Sequence, residues 1–354
     1  MKIVIDISQL HPAALKRGVG LYALSLFEAL KALKDENKYF LRKTRKEKYE
    51  ADLVHYPYFD PFFLTLPLTN KPFIATIHDL TPIKFPQHFP CGLRGKIKWQ
   101  IQKYLLKKVA AIITDSENSK RDIIEIIGYP ENKIFPIHLA AGKEFGKIGK
   151  LEIGNWKLEI CKKYSLPEYF LLYVGDLNWN KNVKGLIRAI SAISYQLSAI
   201  SLVLVGSAFE NKQLEQLKQL KQLIAQLELD EKVKLLGFVP TEDLVKIYNL
   251  AALYIQPSFY EGFGLPVLEA MSCGCPVLCS SQASLPEVGG RGVEYFNPYK
   301  KGDLEEKLIL LFKNKNKLKD LSNRGLKRSK MFSWKKTALE TAKVYRLISK
   351  SVPA

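Results

Sequence analysis

The sequence predicts an α/β protein built of two doubly wound parallel-sheet domains, and three observations carry that prediction. Apolar runs of strand length recur without polar alternation: "KIVIDI", "LVHYP", "FIATIHD", "AAIITDS", then "FLLYVGD", "SLVLVGS", "VKLLGFV", "LYIQPS" and "CPVLCS". Amphipathic segments of helical period, such as "YALSLFEALKAL" and "KGLIRAISAIS", separate them. A chain of 354 residues, 47% hydrophobic and 25% charged, is long enough for two domains with cores of their own. Strands buried on both faces read as uninterrupted apolar runs, which is the mark of a parallel sheet covered by helices. Alternation of such strands with helices gives the α/β class.

Taken in order, the amino terminus "MKIVIDISQL" enters the first strand directly, with no lysine-led region, long apolar core or small-residue cleavage site. No window of about 20 uncharged apolar residues is suited to span a bilayer. The expectation is a cytoplasmic protein. After the first strand, "HPAALKRGVGLYALSLF" places Gly18 and Gly20 ahead of a helix. From Leu41 to Ala51, "LRKTRKEKYEA" offers charge and no strand. The run "FIATIHD" ends in His78 and Asp79. From Gly142 to Pro167 the pattern breaks in "GKEFGKIGKLEIGNWKLEICKKYSLP", which shows no clear strand. This break divides a first domain, residues 1–150, from a second, residues 165–330, with a terminal helix over 331–354. In the second domain "QLEQLKQLKQLIAQLEL" places its leucines on one helix face, as a core-facing helix does.

Doubly wound folds bind ligands beyond the carboxyl ends of their strands. After "LYIQPS" comes "FYEGFGLPVLEAMSCG", with Glu261 and Glu269 around a glycine-rich bend. Gly262 and Gly264 allow close backbone approach, and Pro266 suits a first helical turn. The predicted helix runs from Pro266 to Ser272 and stops near Gly274, so that its leading N–H groups favour a phosphate. A carboxylate accepts two hydroxyl hydrogen bonds at once, which suits a ribose or hexose diol. Two carboxylates beside a phosphate site suggest a nucleotide sugar. Spacing alone equally allows a helix-capping Glu269 and a solvated Glu261. A lone histidine at a strand end, as His78 is, is more often a satisfied structural residue than a catalyst, and Lys181 is one of 54 basic residues. His11, His55, His88 and His138 receive no functional assignment. Cys273, Cys275 and Cys279 lie too scattered along one helix–turn–strand segment to converge on zinc, and buried reduced thiols are expected.

The stretch "PSFYEGFGLPVLEAMSCGCPVLCSSQASLPEV" resembles the carboxyl-terminal signature of glycosyltransferase family 4, the retaining enzymes. "RGVGLY", "TIHDL", "TDSENSKRDI", "YVGDLNWNKN", "GFVPTEDL" and "FSWKKTALETAKVY" follow the family's order over nearly the whole chain. "YVGDLNWNKN" and "YEGFGLPVLEAM" look most like bacterial mannosyltransferases. The resemblance implies the GT-B fold, two Rossmann-like domains facing a cleft, the first on the acceptor side and the second binding the nucleotide sugar, with the terminal helix crossing back to the first. It implies that Glu261 serves the donor sugar, Glu269 the ribose hydroxyls, and the backbone of Gly262, Phe263, Gly264 and Leu265 the phosphate and sugar. It assigns Lys181, beside Asn180, to the diphosphate, Gly18 and Gly20 to a loop closing on that group, Val239 to the border of the base, and His78 to the transferred sugar. GDP-mannose is the implied donor and a glycan or lipid-linked hydroxyl the acceptor. No metal or further cofactor is expected, since a lysine and N–H groups aimed at the leaving diphosphate stabilise its growing charge. Many members carry arginine where this chain has Asn180 and where it has Leu21, and the first domain is shortened near residues 40–52.

The net charge of +19 implies attraction to phosphates, nucleic acids or anionic membranes. A nucleic-acid binder is a rival reading, against which stands the absence of a recognisable binding module. A UDP-sugar transferase or epimerase of the same fold, and a non-catalytic family member, are further alternatives. In "LRGKIKWQIQKYLLKKVAAI", Lys96, Lys103 and Lys107 share a face beside Trp99, opposite Leu93, Ile97, Ile101 and Leu105. Such a helix is able to rest on an anionic bilayer or to form a solvated outer face.

Overall fold

The computed structural model describes residues 1–10, 18–47, 49–69 and 72–351. The first sheet comprises β1 (Lys2–Asp6), β2 (Lys38–Arg42), β3 (Leu53–Tyr56), β4 (Phe73–Thr76), β5 (Ala111–Thr114) and β6 (Ile134–Pro136). The second comprises β7 (Phe170–Val174), β8 (Ser201–Val205), β9 (Val233–Leu236), β10 (Leu253–Gln256), β11 (Val277–Ser280) and β12 (Glu294–Phe296). Their orders are β2-β1-β3-β4-β5-β6 and β12-β11-β10-β7-β8-β9, every pairing parallel. These are the two doubly wound α/β sheets expected. β4, β5, β10 and β11 are buried at every position, which is why they read as unbroken apolar runs.

Three strands lie outside the apolar runs: β2, β6 and β12. All are sheet edges. β2, "KYFLR", has no fully buried position, so no burial pattern marks it, and it overlaps the stretch read as strandless only at Leu41 and Arg42.

The chain forms two compact units, one of Met1–Ala140 with Phe332–Ala354 and one of Ala141–Met331. The break in the strand pattern contains a helix, Lys150–Tyr164, which belongs to the second unit. In the first unit the terminal helix Trp334–Ser351 packs on the helix Gly18–Lys31. Its Tyr345 hydroxyl lies 2.7 Å from His55 Nδ1, and His55 Nε2 lies 2.7 Å from Thr76 Oγ1. Burial pushes the His55 pKa down to about 3, so the ring is neutral and joins β3, β4 and the terminal helix as a hydrogen-bonding bridge.

In the second unit, Leu171, Leu202, Leu204, Leu253 and Ile255 form the centre of the core, and the leucine-rich helix Glu215–Gln226 buries Leu217, Leu220 and Ile224 against it. Cys273, Cys275 and Cys279 are buried with free thiols, and burial raises the Cys273 pKa to about 12.

Candidate active site

In the second unit β7 and β10 are neighbours, and the loops leaving them are joined. The Asn180 carbonyl accepts the Phe259 N–H at 2.8 Å, the Asn180 amide donates to the Tyr260 carbonyl at 2.9 Å, and the Asn182 amide donates to the Pro257 carbonyl at 3.0 Å. Asn182 holds a left-handed φ of 52°, which asparagine tolerates, and so turns the chain from the Trp179–Lys181 turn into the next helix. Asn180 is buried, and its side-chain amide donates within this joint.

The joint sets Lys181 against Glu261. Lys181 Nζ donates to Glu261 Oε2 at 2.7 Å, and Oε1 accepts from Ser258 Oγ at 2.7 Å and Gln256 Nε2 at 2.8 Å. Ser284, beyond β11, lies 2.8 Å from the Glu261 carbonyl and 3.1 Å from that of Phe263, and so anchors the following bend. A carboxylate only 7% exposed is thus met by a cation and two further donors.

The bend ends at Gly264, whose φ is 99°; a Cβ there would lie 2.7 Å from Leu285 Cδ2. The helix Leu265–Ser272 then begins with no side chain capping it. Gly262 and Phe263 are buried and Leu265 is half-buried. Glu269, in this helix, has a different environment from Glu261. It is half-buried and accepts a hydrogen bond from the Tyr248 hydroxyl at 3.1 Å. Desolvation raises its pKa to about 7. Val239, beyond β9, is buried, while its neighbour Phe238 is exposed.

In the first unit His78 follows β4 and Asp115 follows β5, adjacent strands. His78 Nδ1 donates to Asp115 Oδ2 at 2.7 Å, and Nε2 lies 3.2 Å from the Pro57 carbonyl. Both ring nitrogens face acceptors, an arrangement that both satisfies and calls for the doubly protonated ring. Burial acts to lower the His78 pKa, but the Asp115 charge and hydrogen bond outweigh it and the net shift is upward. The Tyr22 ring meets the imidazole edge-on at 4.8 Å. Asp115 Oδ1 is buried without a hydrogen-bond partner. Gly18 and Gly20 lie inside the first turn of the Gly18–Lys31 helix rather than ahead of it, and His11 falls outside the described residues.

Sequence reasoning singled out Glu261, Lys181 and His78 without their partners. Asp115, Gln256, Ser258 and Ser284 carried one available signal: each stands at or just beyond the end of an apolar run, where the fold puts its functional side chains.

The basic helix Gly92–Leu106 departs from expectation. Leu93, Ile97 and Ile101 are 75%, 53% and 41% exposed, and of that expected apolar face only Leu105 is buried. Lys103 is half-buried and donates to the Ile126 carbonyl at 2.9 Å, whereas Lys96 and Lys107 are exposed. The helix turns Gly95, Gln102 and Leu106 inward instead, because Gln102 Nε2 donates to the carbonyls of Asp60 and Phe63 and to Thr65. Among the described residues no helix is long and apolar enough to cross a membrane.

Comparison with known proteins places this arrangement in context. Residues 159–328 match the model for glycosyl transferases group 1, and residues 12–140 match that for Glycosyltransferase Family 4. The chain is 30% identical over 301 residues to O-antigen chain mannosyltransferase B of Escherichia coli, covering 84% of this chain and 76% of that protein. It is 29% identical over 283 residues to the serotype-specific mannosyltransferase WbdA of Escherichia coli, covering 79% of this chain but only 34% of WbdA. Among solved structures, sucrose-phosphate synthase from Thermosynechococcus elongatus superposes with a TM-score of 0.78 at 20% identity, over 99% of this chain and all of that one. Anabaena HepE, in complex with UDP-glucose, superposes with a TM-score of 0.75 at 18% identity, over 98% of this chain and 100% of that one. The fold is therefore GT-B, and the chain belongs to glycosyltransferase family 4 and is a glycosyltransferase.

Proposed function

We propose that the protein moves a hexose, mannose from GDP-mannose, to a hydroxyl of a glycan or lipid-linked acceptor, with retention of anomeric configuration and with no cofactor beyond the nucleotide sugar. The observation that carries this reading is the Lys181–Glu261 pair beside the uncapped start of the Leu265–Ser272 helix. A departing nucleoside diphosphate gathers negative charge, so a lysine and a helix start aimed at it act more strongly on the transition state than on the ground state. Glu261 is then able to exchange its Ser258 and Gln256 donors for sugar hydroxyls. Glu269, with a single hydrogen-bond donor, has acceptor capacity left for a ribose diol.

The role that the resemblance assigns to His78 is constrained by its surroundings. When both nitrogens are protonated the ring has no lone pair with which to accept a proton, and in that form His78 would act as a charge and not as a general base. The acceptor proton passes instead to a donor phosphate oxygen on the same face as the attack. The preference for mannose as the sugar is supported by the mannosyltransferases of Escherichia coli to which the chain is similar. A UDP-sugar donor is the second reading, favoured by the UDP-glucose bound to Anabaena HepE.

A thermal-shift panel of GDP-mannose, UDP-glucose, UDP-GlcNAc, GDP and UDP against wild type and Glu269→Ala tests the donor. Ligand at a hundredfold excess over Kd stabilises by about 2.7 kcal/mol. A shift from one base only, lost in Glu269→Ala, is expected; shifts from none, or shifts unchanged by the substitution, overturn the assignment. NMR of the product must show the donor's anomeric configuration, and free epimerised sugar formed without acceptor would favour an epimerase.

Peripheral contact with an anionic bilayer belongs to the same reading. Lys96 and Lys107 flank the exposed Leu93, Ile97 and Ile101, a basic and apolar surface suited to headgroups and acyl chains. Lys103 is not part of this surface, because its ammonium is engaged by Ile126. Flotation with anionic vesicles, abolished in Lys96→Glu with Lys107→Glu, is the expected result; undiminished flotation would end the idea.

A further inference from the structure

Beside the Lys181–Glu261 pair stands a feature that the donor reading does not use. Three aromatic rings from three different loops lie nearly parallel: Trp179 and Phe259 at 5.2 Å and 29°, Phe259 and Tyr299 at 5.1 Å and 21°. Trp179 and Phe259 are half-buried, but Tyr299, at the end of the stack, is 60% exposed. A large aromatic that loses its water on one face only leaves the other face available.

The exposed ring is nonetheless held in place. The Tyr299 N–H donates to Asn297 Oδ1 at 3.0 Å, and the Lys300 N–H donates to the Asn297 carbonyl at 3.1 Å. The Asn297 N–H in turn donates to Asp303 Oδ2 at 2.7 Å, and Lys300 pairs with Asp303 at 3.1 Å. The loop after β12 is thus a hydrogen-bonded turn that presents Tyr299 at low entropic cost to any ligand that stacks on it.

Sheet order locates the stack relative to the donor. Val239 follows β9 at one edge, Lys181 and Glu261 follow β7 and β10 in the middle, and Tyr299 follows β12 at the opposite edge. Trp179 stands two positions before Lys181 and Phe259 two before Glu261, and the Phe259 N–H to Asn180 carbonyl bond ties the two loops together. With the base near Val239, the stack runs from the loops of the pair toward the edge opposite the base, and its exposed end, Tyr299, lies at that edge. The face of a pyranose ring carries C–H groups polarised by neighbouring oxygens, and these are attracted to the negative face of an aromatic ring.

We propose that Trp179, Phe259 and Tyr299 form a stacking subsite for a pyranose ring of the acceptor glycan. The assignment to acceptor and not donor rests on the donor reading above. Its test uses the full chain with two probes: α-linked mannotriose, followed by saturation-transfer NMR and titration, and GDP with UDP, followed by calorimetry. In Tyr299→Ala, mannotriose affinity is expected to fall about fivefold to tenfold, the scale of one aromatic contact, with nucleotide affinity unchanged. Tyr299→Phe should retain both. Should Tyr299→Ala fail to fold, Tyr299→Leu keeps an apolar side chain without a ring and must show the same selective loss. The proposal is overturned by a wild type that does not bind mannotriose, by undiminished binding in the ring-deleted variants, or by nucleotide affinity falling in parallel. Ring-dependent mannotriose binding in a chain that binds no nucleotide would uphold the subsite and remove the donor reading.

Discussion

In each unit a basic side chain meets a carboxylate across the ends of neighbouring parallel strands: His78 with Asp115 beyond β4 and β5, Lys181 with Glu261 beyond β7 and β10. The two pairs have the same contact distance of 2.7 Å and opposite degrees of closure. Both oxygens of Glu261 are taken by donors, whereas Asp115 keeps Oδ1 buried and without a partner. A buried carboxylate supplied with a cation and two neutral donors is a finished interaction, and a ligand must displace something to use it. A buried oxygen without a donor is a standing cost, of the kind found where a protein keeps acceptor capacity in reserve. Similar placement on similar sheets does not give two carboxylates the same duty.

The largest effect that would break this contrast is expected at Lys181. Lys181→Met leaves a buried carboxylate with only neutral donors and should cost about 3 kcal/mol in urea unfolding, and adding Glu261→Gln should restore most of it. Asp115→Asn should cost less, about 1 kcal/mol, because one oxygen of the lost carboxylate had no donor. Equal losses would erase the distinction. The same substitution should lower the His78 pKa, read from its ring-proton NMR titration. The sign of the pH effect follows from the upward shift: the stabilisation is full below the ordinary value of 6.5 and is lost as pH rises through the folded value. In Asp115→Asn that slope should flatten.

Glu269 sharpens the contrast with the smallest effect. Its pKa of about 7 lies above the ordinary 4.5, so the folded chain binds more protons than the unfolded one between those values. Stability should therefore fall with rising pH over that window in wild type and remain flatter in Glu269→Gln, as measured by thermal melts. If a ribose diol is bound by the ionised form, nucleotide affinity should rise from about pH 6 to about pH 8, on either side of that value, and calorimetry in two buffers should detect proton release.

The parts of this architecture that the sequence made legible are those where burial is complete. β4, β5, β10 and β11 announce themselves because every side chain is enclosed and, Gln256 at the end of β10 apart, apolar or small. β2 and β12 do not, because an edge strand with half-exposed positions carries no such pattern. The helix Lys150–Tyr164 was obscured by Gly154 and by lysines that read as linker. Glu261 and Lys181 could be named from the family resemblance, but their direct contact could not, since it depends on β7 and β10 being adjacent despite 80 residues of separation. The outward turn of Leu93, Ile97 and Ile101 was hidden for a similar reason. The periodicity of a helix shows which residues share a face, and only tertiary partners such as those of Gln102 decide which face is inside.

The bridge from Tyr345 through His55 to Thr76 also sets an order of events during synthesis. The first unit takes its last helix from residues that leave the ribosome after the whole of the second unit has been made. Domains generally fold as they emerge, amino-terminal first, but here the earlier sheet must wait with His55 Nδ1 lacking its Tyr345 partner while the later one is already able to close. During translation, then, the second unit is the first that can reach its finished state, and the segment Met1–Ala140 completes its packing only when the terminal helix arrives.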